Sequence, residues 1–309
     1  MSSSLEMQQI DVIIPTYNGA DCILDTLKTV FAQVLPDGWS MQVYMVDDAS
    51  TDETQALVRS AYPQAKIVEL SPNQGRSIAR NRGVAAGEGG LLCFLDSDCQ
   101  YQSTQVLAAY IQVLNAGADA SFGPLDTDFP GFWGQYQRAV YAQRIAQAQQ
   151  GNMQVMTSNN FVLRRSVFER VQGFYTGYTH YGFEDYDLLQ RLLSAGCDIR
   201  FCANASANHK NNDTLGALCH KLKVSAQYSA PLFMQKHPQV YAAMSFAKVD
   251  ARLHPALRYL SWLGTPLLSV LTTIGERAVH WPLPYSFKKL YVQGVMALSY
   301  LRGSTQLSS

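Results

Sequence analysis

Four short runs rich in β-branched and aromatic residues constrain this chain more than any other feature: IDVIIP at 10–15, MQVYMV at 41–46, KIVEL at 66–70 and LLCFL at 91–95. Segments of helical period separate them. Ile23, Leu24, Leu27, Val30 and Phe31 repeat at helical spacing after Asp21, which has the chemistry of an N-cap. Ser50-Thr51-Asp52-Glu53 has capping-box spacing ahead of Leu57 and Val58, and SIARNRGVAA at 77–86 is helix-like. Strands joined by helices run parallel, and the helices must cover the sheet. The expectation is an α/β fold. Helical patterns at 106–114 and 133–148 follow, then FVLRRSVFERV and GFEDYDLLQRLLSAG, the last with Leu188, Leu189, Leu192 and Leu193 on one face and Gly196 at its end.

Such a sheet gathers ligands at the carboxyl ends of its strands, where loop amides and helix N-termini point outward. Immediately after the four runs come Pro15-Thr16-Tyr17-Asn18, Asp47-Asp48, Asn73-Gln74-Gly75-Arg76 and Asp96-Ser97-Asp98. Four successive strands thus deliver polar chemistry to one rim. In extended backbone, residues two apart point the same way, so Asp96 and Asp98 can reach one point in space. Two carboxylates this close repel unless a cation sits between them, and their oxygens suit magnesium or manganese. A solvated turn would use aspartate too. The place of this pair at the end of a buried strand favours the cation.

Other candidates are open in both directions. Gly75 with Arg76, Arg80 and Arg82 suits a diphosphate at a helix N-terminus, or is a turn followed by a basic face. Glu184-Asp185 opens a helix, either as partners of its dipole or as groups that hold an acceptor and take its proton. His209 follows an extended stretch and gains interest only beside carboxylates. Cys197, Cys202, His209, Cys219 and His220 crowd one region, but no paired-ligand spacing for zinc is present, and buried thiols are the simpler account.

Lys and Arg number 24, as do Asp and Glu, so no net field would gather nucleic acid. Six scattered cysteines and a first stretch, MSSSLEMQQ, without the apolar core of a signal peptide lead to a cytoplasmic expectation. Beyond Asp213 acids thin out and aromatics increase. YLSWLGTPLLSVLTTIG at 259–275 holds no charge, Pro266 interrupts it, and Trp281, Tyr285, Phe287, Tyr291 and Tyr300 then mix with Lys288, Lys289 and Arg302. That composition fits a segment lying at a membrane face, or a helical cap on the rest of the protein.

Taken together and in order, VIIPTYNG, VDDASTDET, NQGRSIARNRGVAAGEGGLLCFLDSDC, NNFVLRRSVFERVQGF and HYGFEDYDLLQRLLSAG resemble a family-2 glycosyltransferase with the GT-A fold. The later segments are similar to the galactosyltransferase-like half of chondroitin-polymerase-type enzymes. The resemblance implies a Rossmann-like, mostly parallel sheet flanked by helices over 1–212, with a donor half at 9–100 and an acceptor half at 101–212; the change in composition beyond it adds the expectation of a helical extension at 213–309. It also implies inverting transfer of a sugar from a nucleoside diphosphate donor, UDP by family habit, to a hydroxyl of a saccharide or lipid-linked acceptor; the composition beyond Leu253 adds the expectation that this acceptor lies at the inner face of a membrane. By the same resemblance Pro15, Thr16 and Tyr17 line the nucleobase pocket and Asp48 meets base or ribose. Gly75, Arg76 and Arg80 lie beside the donor, with Asp96 assisting. Asp98, Asp96 and His209 hold Mn2+ or Mg2+, Asp185 is the base, and Glu184 binds the acceptor. Where such enzymes carry Trp-Gly-Gly or Gly-Trp-Gly before the acids, this chain has Tyr181-Gly182-Phe183. A non-catalytic sugar-nucleotide-binding subunit is the alternative. A nucleotidyltransferase is another, but its glycine- and lysine-rich N-terminal signature is missing.

Overall fold

The computed structural model describes residues 8–210 and 214–306, with side chains throughout except at 260–266. In chain order its elements are β1 (Gln8–Thr16), α1 (Ile23–Phe31), β2 (Trp39–Asp47), α2 (Thr54–Ala61), β3 (Lys66–Glu69), α3 (Arg76–Ala85), β4 (Leu91–Leu95), β5 (Cys99–Tyr101), α4 (Val106–Asn115), β6 (Ala120–Phe122), β7 (Leu125–Asp126), α5 (Gly131–Gln149), β8 (Asn160–Arg164), α6 (Arg165–Arg170), α7 (Glu184–Ser194), β9 (Ile199–Phe201), β10 (Ala207–His209), α8 (Leu215–Val224), α9 (Ala230–Lys236), α10 (Pro238–Ala243), α11 (Leu257–Ala278) and α12 (Tyr285–Ser304).

Seven strands form one sheet in the order β3-β2-β1-β4-β8-β6-β9. The first four are parallel, with Val12 opposite Val43 on one side and Cys93 on the other. β8 reverses the direction, antiparallel to both β4 and β6. The parallel rule binds strands joined by a single crossover helix, whereas β8 is reached only after β5, α4, β6, β7 and α5. FVLRRSVFERV accordingly divides into β8 and α6. A second sheet, β5-β10-β7, pairs β10 antiparallel with β5, and His209 faces Cys99 in that register.

Buried on both faces, β1 reads as a near-continuous apolar run, with Ile10, Val12, Ile13 and Ile14 all excluded from water. Val12 and Ile14 pack toward α1 and α4 residues such as Leu27 and Leu107, and Ile13 joins Phe94, Phe168 and Leu188 on the opposite face. One charge interrupts the strand. Asp11 is fully buried, and Arg165 Nη2 (2.9 Å), Gly89 N–H (2.7 Å) and Gln9 Nε2 (2.7 Å) donate to it. A Cβ at Gly89 would stand 2.7 Å from that carboxyl, so only glycine admits this approach.

Two local expectations need correction. α1 starts after Cys22 rather than Asp21, with no side-chain cap. The Ser50 capping box does not form: the Ser50 hydroxyl accepts from Asn18 N–H at 2.8 Å. Asp52 instead accepts from Thr54 N–H and from Ala20 N–H, both at 3.1 Å, tying the loops after β1 and β2 together. A tertiary bond between two rim loops has displaced the local one, as these residue types readily allow.

The chain divides into two compact units. The first takes the segments through Asp128, Gln137–Thr176 and 188–210, and holds both sheets. The second takes Phe129–Tyr136, Gly177–Asp187 and the chain from Thr214 onward. It is helical, with one cluster of Phe183, Phe233, Tyr241 and Tyr300 and another of Phe132, Leu215, Val279, Val292 and Val295.

Candidate active site

In the first unit the polar residues gather where β1, β2 and β4 end. Asp48 N–H donates to Thr16 O at 2.8 Å, continuing the β1–β2 ladder into the loops. Thr16 is buried and Tyr17, beside it, is exposed. The Asp48 carboxylate accepts from Gln74 N–H (2.7 Å) and Gly75 N–H (2.8 Å), so it anchors the turn into α3. Gly75 sits there at φ 88°, a conformation that favours glycine. That role in fastening the turn was not legible from the sequence. Asp47, one residue earlier, is fully buried and accepts from Gln55 Nε2 at 2.7 Å, while its Oδ1 has no hydrogen-bond partner.

Asp96 and Asp98 behave differently from one another. Asp96 accepts from Arg80 Nη2 at 2.9 Å, and Arg80 is almost wholly buried with its guanidinium 5.0 Å from the Phe174 ring. Arg80 therefore stands behind Asp96. Asp98 Oδ2 lies 3.3 Å from His209 Nε2. Burial pushes the Asp98 pKa up, but the hydrogen bond from His209, its charge and that of Arg76 outweigh burial and hold the carboxyl below the usual carboxylate range. The strand pairing explains the meeting: β5 begins one residue after Asp98, and β10 lays His209 opposite its first residue. Lys210 N–H donates to Asp98 O at 2.8 Å and closes the corner.

Among the described residues, the group of metal-capable side chains that converges is Asp98, Cys99 and His209, with ligand atoms within 4.8 Å of one another. Neither Asp96, Cys197 nor Cys202 belongs to it. Neighbouring ligands on one divalent ion, with bonds of roughly 2.1 Å at right angles, stand roughly 3 Å apart. The 3.3 Å between Asp98 and His209 matches that spacing. Burial foremost, then the nearby acids, raises the Cys99 thiol well above its usual range, so it is neutral and protonated. Oxygen and imidazole nitrogen are thus the available donors, and they fit Mn2+ or Mg2+.

A residue that sequence reasoning missed completes the group. Tyr141, buried on α5, has its hydroxyl 2.6 Å from His209 Nδ1. Nothing in the pattern of α5 singles it out from other helical aromatics.

The acid pair belongs to the second unit. Glu184 is buried, and Asp185 Oδ1 accepts from Tyr186 N–H at 2.9 Å, in the first turn of α7. Asp187, fully buried, is held by Lys236 Nζ (2.8 Å) and His237 Nε2 (3.0 Å). The approach to α7 is strained, with Gly182 at φ 93° and Phe183 at φ 70°. Phe183 packs into the aromatic cluster against Phe233 at 5.1 Å. Tyr181 is 41% exposed, with Lys221 Nζ 5.6 Å from its ring centroid. Of the two aromatics in Tyr181-Gly182-Phe183, Tyr181 is the exposed one.

Residues 11–172 match the family model of glycosyl transferase family 2, and residues 149–212 match that of the N-terminal domain of galactosyltransferase. Glycosyltransferase AglE of Haloferax volcanii is 32% identical over 133 residues, 42% of this chain and 43% of that protein. The succinoglycan biosynthesis protein ExoO of Rhizobium meliloti is 27% identical over 174 residues, 53% of this chain and 49% of its own length, so the matches span under half of each of these two relatives. The O-antigen chain rhamnosyltransferase WbaN of Salmonella anatum is 27% identical over 221 residues, 67% of this chain and 68% of that one. Among solved structures, mannosyltransferase PcManGT from Pyrobaculum calidifontis, in complex with GDP-Man and Mn2+, superposes with a TM-score of 0.59 at 19% identity, covering 96% of this chain and 85% of that one. TarS 1-349 of S. aureus, in complex with UDP, gives 0.53 at 16% identity, covering 96% and 90%. These likenesses establish the fold as GT-A: a mostly parallel sheet flanked by helices, with a helical C-terminal region.

Proposed function

The chain belongs to glycosyl transferase family 2, and from that membership we propose that it moves a hexose from a nucleoside diphosphate donor, UDP being favoured, to an acceptor hydroxyl with inversion. The observation that carries this reading is the convergence of Asp98 and His209 at the end of β4. A divalent cation, Mn2+ or Mg2+, supplies neutralisation of the charge that develops on the diphosphate leaving group when bound there. Asp98 and His209 hold it. Asp96 stays oriented by the buried Arg80 and shapes the same end of β4. Pro15, Thr16 and Tyr17 receive the nucleobase. Asp48 fixes the turn that presents Gly75 and Arg76 to the diphosphate. This support is consistent with the nucleotide ligands named for PcManGT and TarS.

Asp185 takes the proton from the acceptor hydroxyl while Glu184 orients it, and the attack comes from the face opposite the leaving group. The division into a donor half, an acceptor half and a helical region from residue 213 belongs to this proposal, as does a saccharide or lipid-linked saccharide acceptor at the inner face of a membrane. Radiolabelled UDP- and GDP-sugars, offered with and without Mn2+, test it. Release of the nucleoside diphosphate that stops with chelator is the expected result. Release of pyrophosphate would assign a nucleotidyltransferase, and no turnover or binding of any donor would overturn the reading.

A further inference from the structure

Among the described residues, eight of the thirteen large apolar side chains that stand exposed lie between Tyr259 and Leu290, in α11, α12 and the turn that joins them. Leu267, Val270 and Ile274 fall on one stripe of α11, at helical spacings of three and four. Trp281 and Leu283 occupy the turn, and Phe287 and Leu290, 66% and 70% exposed, follow one helical turn apart on α12. Described residues on the inner face of the same hairpin are engaged with the protein. Tyr291 hydroxyl donates to Leu271 O at 2.8 Å, Lys288 Nζ donates to Val279 O at 2.9 Å, and Val292 and Val295 pack in the core. The outer stripe is thus surplus to the folding of the hairpin.

Charge says what this stripe meets. From Thr214 onward the sequence carries ten Lys and Arg and only two acids, in a chain whose total charge is zero. Neither acid faces outward unengaged: Asp250 is buried with Arg252 and Tyr241, and Glu276 accepts from Gly216 N–H at 2.8 Å. Around the tip, Arg277 and His280 precede Trp281, and Lys288 and Lys289 separate Phe287 from Leu290. A second copy docked on this face through two-fold symmetry would set one basic surface against another. No described helix is long and apolar enough to cross a bilayer. We infer that the α11–α12 hairpin lies in the plane of an anionic lipid surface, with Val270, Ile274, Trp281, Leu283, Phe287 and Leu290 entering the acyl boundary and the neighbouring cations meeting the headgroups. The inference deepens the reading of a membrane-proximal acceptor, but its test needs neither donor nor cation.

The experiment is flotation of the full chain with vesicles of phosphatidylcholine alone and of phosphatidylcholine mixed with phosphatidylglycerol. The chain is expected to float with the anionic vesicles and to be released by salt. Phe287→Ser with Leu290→Ser should lower the partition at least about tenfold, the scale of two apolar side chains withdrawn from the boundary. Lys289→Glu should lower it about fivefold or more. These positions are surface-exposed or half-exposed, so an unchanged melting curve certifies that the variants fold. A chain that ignores both vesicle types, or a double serine variant that binds like the wild type, overturns the inference. So does concentration-dependent self-association that the same double variant abolishes. None of those outcomes touches the proposed transfer chemistry, which donor turnover in detergent-free solution reads separately.

Discussion

The Tyr141 hydroxyl lies 2.6 Å from His209 Nδ1, joining residues 68 apart in sequence, and His209 Nε2 in turn lies 3.3 Å from Asp98 Oδ2. A phenol hydroxyl can donate or accept. With Nε2 protonated and donating to Asp98, Nδ1 accepts from Tyr141. With Nε2 turned as a lone pair to a cation, Nδ1–H donates to the same oxygen. Tyr141 therefore supports either tautomer and fixes the ring plane, as outer partners of metal-binding histidines do.

Tyr141→Phe is accordingly expected to weaken Mn2+ binding by roughly tenfold to a hundredfold. Titration of free Mn2+ followed by electron paramagnetic resonance, without donor, reads this directly. Equal affinity in the variant, with binding to the wild type intact, would remove Tyr141 from the site. Absence of binding to the wild type would instead count against the cation itself.

The two aspartates of the D-x-D should separate in their effects. Asp98→Asn is expected to abolish cation-dependent donor turnover while leaving the fold intact, since His209 keeps Tyr141 as a partner. Asp96→Ala removes a carboxylate to which the buried Arg80 guanidinium donates, a loss expected to cost about 1–3 kcal/mol of stability. Urea melts of the two variants decide the matter. If Asp96→Ala were as stable as Asp98→Asn, the Arg80 pair would not be a structural tie.

Asp185→Asn should leave donor and cation affinity nearly intact and cut transfer at least about a hundredfold, the usual scale for a lost general base. Glu184→Gln should mainly weaken the acceptor. Isothermal titration with donor beside a transfer assay tells the two apart. Collapse of donor affinity in the Asp185 variant would move that residue to the donor site.

Gly182→Ala tests the strained approach to α7. An added Cβ would stand 2.6 Å from Ser225 Oγ, at a φ of 93° that disfavours any side chain. A destabilisation of about 1–3 kcal/mol is expected. Thermal unfolding measures it, and acceptor affinity should fall together with stability because Tyr181 and Phe183 flank the glycine. A variant as stable as the wild type would show that the loop relaxes freely.

Local pattern determined much of this protein. Apolar runs bounded by polar residues located β1 to β4, and helical patterns located α1, α3, α4, α5 and α7, because period and burial are properties of neighbouring residues. The place of Asp96 and Asp98 at the end of a buried strand was legible for the same reason, but the two do not lie in extended backbone as expected: Asp96-Ser97-Asp98 is a turn, closed by Cys99 N–H donating to Asp96 O, so Asp96 goes to Arg80 and Asp98 to His209. What the pattern could not contain is who meets whom across the fold. The reversal of β8, the pairing of β10 with β5 that brings His209 to Asp98, and the packing of α5 that brings Tyr141 to His209 depend on strand register and helix docking between distant segments. Asp48 and Asp52 make the same point in miniature. Read locally they belong to a rim and to a capping box, yet in the folded chain each spends its carboxylate on backbone amides that include those of another loop. Long-range contacts of this kind are set by the tertiary packing of two faces against each other, and no single segment encodes them.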